Sequence, residues 1–160
     1  MSSQPKILRR IIAVVDLFSP GSKTGRVAIA TAGKHLAELH FVALFDHLDD
    51  VTLGGASKLS PQERFRHTEM ELLKRLRQHT ASMGVHDATC TVLTGHPGEE
   101  LSRMAQQWRA DLIMADRVTA RTIHNSWIPW FHTVTSLPCR LQVIAEERKN
   151  LWMYVAHWLH

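Results

Sequence analysis

Residues 10–16, Arg-Ile-Ile-Ala-Val-Val-Asp, place five apolar side chains in a row, four of them β-branched, with no polar residue between. A strand with one wet face alternates polar and apolar positions, so a run without alternation has to be covered on both faces. Such strands belong to the interior of parallel sheets. Parallel neighbours cannot be joined by a tight turn, and each connection has to cross over the sheet, usually as a helix. The chain must therefore supply helices between its strands.

The rest of the sequence meets that demand. After the turn-rich segment LFSPGSKTG, the spacing predicts a helix to about Leu39, with Ala28, Ile29, Ala32, Leu36 and Leu39 as its apolar stripe. His40 to Asp46 (HFVALFD) is a predicted second strand, and residues 47–59, with Gly54-Gly55, a crossover loop. Ser60, Pro61 and Glu63 form a helix start with a capping box, Phe65, Leu72, Leu73, Leu76 and Met83 give that helix a buried face, and Gly84 ends it. Ala88 to Leu93 is a third strand. The turn Gly95-His96-Pro97-Gly98 leads into a helix with Leu101, Met104, Ala105 and Trp108 on one side. Ala110 to Met114 is the fourth strand, Ser126 caps a helix to about Ser136, and Pro138 opens a fifth strand, Cys139 to Ile144. This βα alternation without internal repeat predicts one α/β domain over residues 1–145, a doubly wound five-stranded parallel sheet with helices on both faces, of the Rossmann-like kind. Residues 146–160 form an aromatic-rich extension (Trp152, Tyr154, Trp158), expected to be helical and covered by its own domain or by a second subunit.

With 160 residues, of which 44% are hydrophobic and 21% charged, a chain can build this core without metal or disulfide. No apolar run reaches membrane-spanning length, and the N-terminus lacks an export signal, so the sequence predicts a cytoplasmic protein. Cys90 and Cys139, each inside its own apolar segment, suit reduced thiols. The net charge of +4 is modest, and the basic residues of the helix after Ser60 (Arg64, Arg66, Lys74, Arg75, Arg77) alternate with Glu63, Glu69 and Glu71. That is the pattern of a solvated helix face and not of a nucleic-acid patch.

In an open parallel sheet, ligands bind outside the carboxyl ends of the strands where the strand order reverses. Asp16, after the first strand, Leu44, near the end of the second, and Asp116 and Arg117, after the fourth, are candidate residues for that rim. Asp16 behind a VVD-type strand, the turn from Gly95 to Glu100, the ADLIM strand and the segment SLPCRLQVI together resemble the universal stress protein family over residues 8–145. Nucleotide-binding members carry, after the fourth strand, two glycines separated by two residues and later a Gly-Ser or Gly-Thr pair. With Ser126 matched to the last of these, the resemblance puts the glycine positions at Ala115, Val118 and Asn125, none of which is glycine. Bare peptide groups approach phosphate closely and reach positive φ; a β-branched Val118 does neither well. The anion nest is expected to be lost, and Trp127, Ile128, Trp130 and Phe131 are expected to crowd the triphosphate position.

Other chemistries lack support in the sequence. Gly21 to Gly25 imitates a phosphate loop, but Ser22 precedes Lys23 and Leu17 stands where the earlier glycine belongs. The eleven histidines include no zinc-ligand pattern, and no nucleophile elbow or paired-acid arrangement with a base is present. The sequence therefore predicts a non-enzymatic stress-response binding or signalling module with no cofactor. It would be a homodimer through edge strand 139–144, with the tail 151–160 as a second contact, and its partner would be another protein or a small apolar ligand. The alternative is an ATP or AMP sensor, or a weak ATPase, using Asp16, Ser126 and the nearby Arg117 and Arg121.

Overall fold

The computed structural model describes residues 5–19, 22–45, 58–125 and 137–145. Five parallel strands alternate with helices along the chain: β1 (Arg10–Val14), α1 (Thr24–His35), β2 (Glu38–Phe45), α2 (Pro61–Ser82), β3 (Thr89–Thr94), α3 (Pro97–Trp108), β4 (Leu112–Asp116), α4 (Arg117–Asn125) and β5 (Arg140–Ile144). The sheet order is β3-β2-β1-β4-β5, so β1 lies in the middle and the chain reverses its direction of winding between β1 and β4. This is the expected doubly wound α/β sheet.

The central strand is buried on both faces. Ile11, Ala13 and Val15 join α1 (Ala28, Ala32) and α2 (Leu76) in one core cluster. Ile12 and Val14 join α3 (Leu101, Ala105) and α4 (Ile123) in the other. At roughly 25 cal/mol per Å² of apolar surface withdrawn from water, these two clusters are the main favourable term holding the layers together.

Three helices end in one way. In α2 the amide of Val85 returns to Thr80 O (3.0 Å), with Gly84 at φ 87°, the stop expected from the sequence. The same closure ends α1, where Ala37 N–H reaches Ala32 O at 2.9 Å, and α3, where Ala110 N–H reaches Ala105 O at 2.9 Å. In these two the left-handed residue is Leu36 (φ 52°) or Arg109 (φ 56°), not glycine. That is why α1 stops at His35 and not near Leu39: Leu36 is 94% exposed instead of lining the stripe, and Leu39 belongs to β2. The start of α2 follows the sequence closely, with Ser60 Oγ accepting from Glu63 N–H (3.2 Å) and Glu63 Oε2 accepting from Ser60 N–H (2.9 Å).

β4 begins at Leu112 and ends at Asp116, two residues later than Ala110 to Met114. Asp111 is occupied in holding the chain before β1: its Oδ2 accepts the amides of Arg9 (2.8 Å) and Arg10 (3.1 Å). Residues 117–125, to which the sequence pattern assigns no helix or strand, are the helix α4. β5 is an edge strand as expected, but its faces are less cleanly divided: Cys139 and Leu141 pack on the core while Val143 is 48% exposed. Cys90 and Cys139 are free, and burial pushes both thiols up from their ordinary value. Cys90 is on β3 and Cys139 beside β5, at opposite edges of the sheet. The helix expected over 126–136, with Trp127, Trp130 and Phe131, and the tail from residue 146 lie outside the described residues.

Two consequences are measurable. Leu36 is strained and has almost no packing to lose, so Leu36→Gly should raise stability by about 0.5–1 kcal/mol in urea unfolding; a decrease would show that its side chain holds more than it costs. His40 stands between Thr91 Oγ1 (2.7 Å from Nε2) and the Trp108 ring, its Nδ1 buried without a partner among the described residues, and burial lowers its pKa below 6.5. His79 is lowered likewise, by burial and then by Arg26. On acidification the unfolded chain takes up these protons first. The histidines' contribution is therefore intact above pH 6.5 and is lost as pH falls through their lower folded values. The melting temperature should drop between about pH 7.5 and pH 5, and less steeply in a His40→Gln, His79→Gln double variant. Equal slopes would assign the pH dependence to other groups.

Candidate functional site

At the carboxyl end of the sheet, across the β1/β4 reversal, lies a cleft of about 190 Å³. Its floor and walls are the ends of β1 and β2 with the segment after β1 (Asp16, Leu17, Phe18), Leu72 of α2 and one side of α4 (Val118, Thr119, Thr122). Position and lining agree with the general rule for doubly wound sheets. Most of the lining is apolar, and no Lys, Arg or His is among the described lining residues.

Asp16 borders the cleft, and its Oδ1 accepts the Phe18 amide at 2.9 Å, closing a turn that begins where β1 ends. Phe18, held by that turn, is 74% exposed. Asp116 ends β4 and is 1% exposed. Its Oδ1 accepts the amide of Thr119 at 2.7 Å, a side-chain cap on the first turn of α4, while Oδ2 is buried with no hydrogen-bond partner among the described residues. The capped amide is one of the donors that every helix start leaves open, and such donors are what an anion at a helix N-terminus would use.

Of the candidates read from the sequence, the structure brings Asp16, Leu44 and Val118 to one cleft. Val118 is 63% exposed at its edge. Ala115, matched from the sequence to a loop glycine, is instead fully buried inside β4, paired with Val14 on one side and Val143 on the other. Arg117 is exposed on the first turn of α4 and does not border the cleft. At about 100° per residue, Arg117 and Arg121 project well to one side of the arc formed by Val118, Thr119 and Thr122. Asn125 is exposed at the far end of α4, and Ser126 lies outside the described residues.

Sequence reasoning missed Phe18, Leu72, Thr119 and Thr122 as cleft residues. A signal for α4 was present: Asp116 as a cap, followed by Thr119 and Ile123 on one face. No group of His, Cys, Asp and Glu suited to a metal ion is found among the described residues.

No curated protein matches the sequence significantly. Solved structures share the fold. A universal stress protein family member from Burkholderia pseudomallei superposes with a TM-score of 0.55 at 17% identity, covering 88% of this chain and 98% of its own. The protein UspA from Lactobacillus plantarum gives 0.53 at 20% identity, with 88% and 100% covered. A family protein from Arabidopsis thaliana, solved with AMP bound, gives 0.52 at 12% identity, with 89% and 94% covered. The family model described as the universal stress protein family matches residues 8–123, from the strand that centres the sheet to the buried face of α4, and the chain belongs to that family.

Proposed function

We propose that this family member is a non-enzymatic stress-response module of the cytoplasm, a homodimer whose cleft takes a small ligand of apolar character and which does not hold ATP in the usual way. The observation that carries this is the end of β4: the strand runs straight into a helix whose first turn is capped by its own Asp116. Phosphate groups are bound where backbone amides are bare and approachable. Here one such amide is taken and Val118 stands in the adjoining position. Among the described residues no helix is long and apolar enough to cross a membrane.

A nucleotide sensor or weak ATPase remains the second reading, and two observations favour it. Asp16 faces the cleft, where a carboxylate can accept hydrogen bonds from a ribose, and the Arabidopsis relative was solved with AMP bound. Against it stand the positions of Arg117 and Arg121, which border no part of the cleft.

Calorimetric titration with ATP and with AMP at low salt should give no binding in the micromolar range. Micromolar affinity that disappears in Asp16→Ala would overturn the proposal in favour of the sensor. Dimerisation is proposed through β5, whose outer edge carries no strand partner in the sheet and whose Val143 is exposed. By light scattering, Val143→Asp should turn a dimer into a monomer, and a chain cut after Glu147 should report whether the tail contributes. If the mass of the Val143→Asp variant stayed that of a dimer, β5 would be excluded as the contact.

A further inference from the structure

We infer that the end of the sheet opposite the cleft is a docking surface for an anionic membrane, with Ile7 and Leu36 entering the lipid and Lys6, Arg9, Lys34 and Arg109 meeting its head groups. The surface shares no residue with the cleft, so the inference goes beyond the function proposed above.

Leu36 is a leucine that the fold does not use. It closes α1 with a left-handed backbone (φ 52°), and its side chain is 94% exposed. Behind α2 the same closure is made by Gly84, which accepts that backbone freely. A leucine here costs stability and buries nothing. Strain that packing does not offset is found where a side chain serves something outside its own fold. Ile7, 70% exposed, stands on the segment leading into β1, as Leu36 stands on the one leading into β2. These segments adjoin: Glu38 N–H donates to Arg9 O at 2.8 Å, and β1 pairs with β2 from Arg10 onward.

Cations surround the apolar pair. Lys6 and Arg9 lie on either side of Ile7 in the chain, and Lys34 is in the last turn of α1. Arg109 ends α3 in another left-handed position (φ 56°), and Asp111 N–H, donating to Arg10 O at 2.8 Å, holds that helix end beside β1. All four cations are exposed, and none takes part in a described ion pair. The described acids at this end are less free. Glu38 Oε2 is 3.6 Å from Arg10 Nε, and Asp111 Oδ2 accepts the amides of Arg9 and Arg10, which leaves Asp87 before β3. Unpaired charge on this surface is therefore mostly positive.

Aliphatic tips within a basic surface match the cytoplasmic face of a membrane. Anionic head groups there attract Lys and Arg, and the acyl boundary takes up apolar side chains. A protein partner would have to offer a pocket shaped to each tip, whereas a fluid lipid layer closes around tips that stand singly. At 94% exposure Leu36 stands almost free of its own fold, which suits the lipid.

Co-sedimentation with vesicles tests the surface. The full chain should bind phosphatidylcholine vesicles containing about a third phosphatidylserine, ignore phosphatidylcholine alone, and dissociate as salt is raised. Leu36→Gly should melt higher than the parent yet bind the anionic vesicles on the order of tenfold more weakly, a pair of changes that damage to the fold cannot produce. A Lys34→Gln, Arg109→Gln double variant, checked for parent-like circular dichroism, should weaken binding by a similar factor. The inference is overturned if the parent does not bind the anionic vesicles, or if either folded variant binds them as tightly as the parent. Binding to a soluble peptide of alternating Glu and Leu, with none to the vesicles, would give the surface to an acidic protein and equally overturn it.

Discussion

Exclusion of water from both faces of β1 is the constraint on which the rest of this molecule depends. Ile11, Ile12, Ala13 and Val14 are fully buried, and alternate members of the run feed two separate clusters. A strand of this kind has no tolerable position at a sheet edge. Once it is central, β2 and β4 have to flank it, and α1 with α2 have to cover one face while α3 with α4 cover the other. The reversal between β1 and β4 follows from that arrangement, and the reversal opens the cleft. Binding geometry is in this sense a by-product of core burial.

Two aspartates mark the places where β1 and β4 give way to the following segments. The segments after β1 and after β4 both begin with an aspartate whose Oδ1 accepts a nearby backbone amide: Phe18 for Asp16, Thr119 for Asp116. The two contacts differ in kind. At Asp16 the bond closes a turn two residues on and leaves the residue half-buried in the lining of the cleft. At Asp116 it starts a helix and draws the carboxylate almost wholly out of water. A helix beginning at the strand's last residue is a rigid way of leaving a sheet. One amide of that first turn is already taken by the chain's own Asp116.

The basic residues contribute less to this site than their number suggests. Arg10 is spent at the opposite end of the sheet, where Nη1 donates to Trp108 O (2.9 Å), the guanidinium lies 5.8 Å from the Trp108 ring centre and Nε is 3.6 Å from Glu38. Arg103 pairs with two glutamates on its own helix. Arg117 is on the flank of α4. Surface pairs of this sort add little to stability, about 0–1 kcal/mol each.

Much of the fold was legible in residues 10–16 and in the capping box at Ser60, because double-sided burial and helix starts are local patterns with few alternatives. The parallel sheet and the place of Asp16 at the rim followed from residues 10–16, while the family resemblance rested on Asp16 together with the turn from Gly95 to Glu100, the ADLIM strand and the segment SLPCRLQVI. Two helix ends were not legible: Leu36 and Arg109 take left-handed φ values that their side chains resist, and only the packing of the helices against the sheet compels it. Nor could spacing locate the end of β4, since the shift from Met114 to Asp116 is set by pairing with β1 and β5. That shift moved Ala115 into the core and made Asp116 a cap. The sequence by itself thus determined which strand is central and where a site must open. Tertiary structure alone decided how Asp116 is used, because a carboxylate's role depends on which amide it reaches and how much water it keeps.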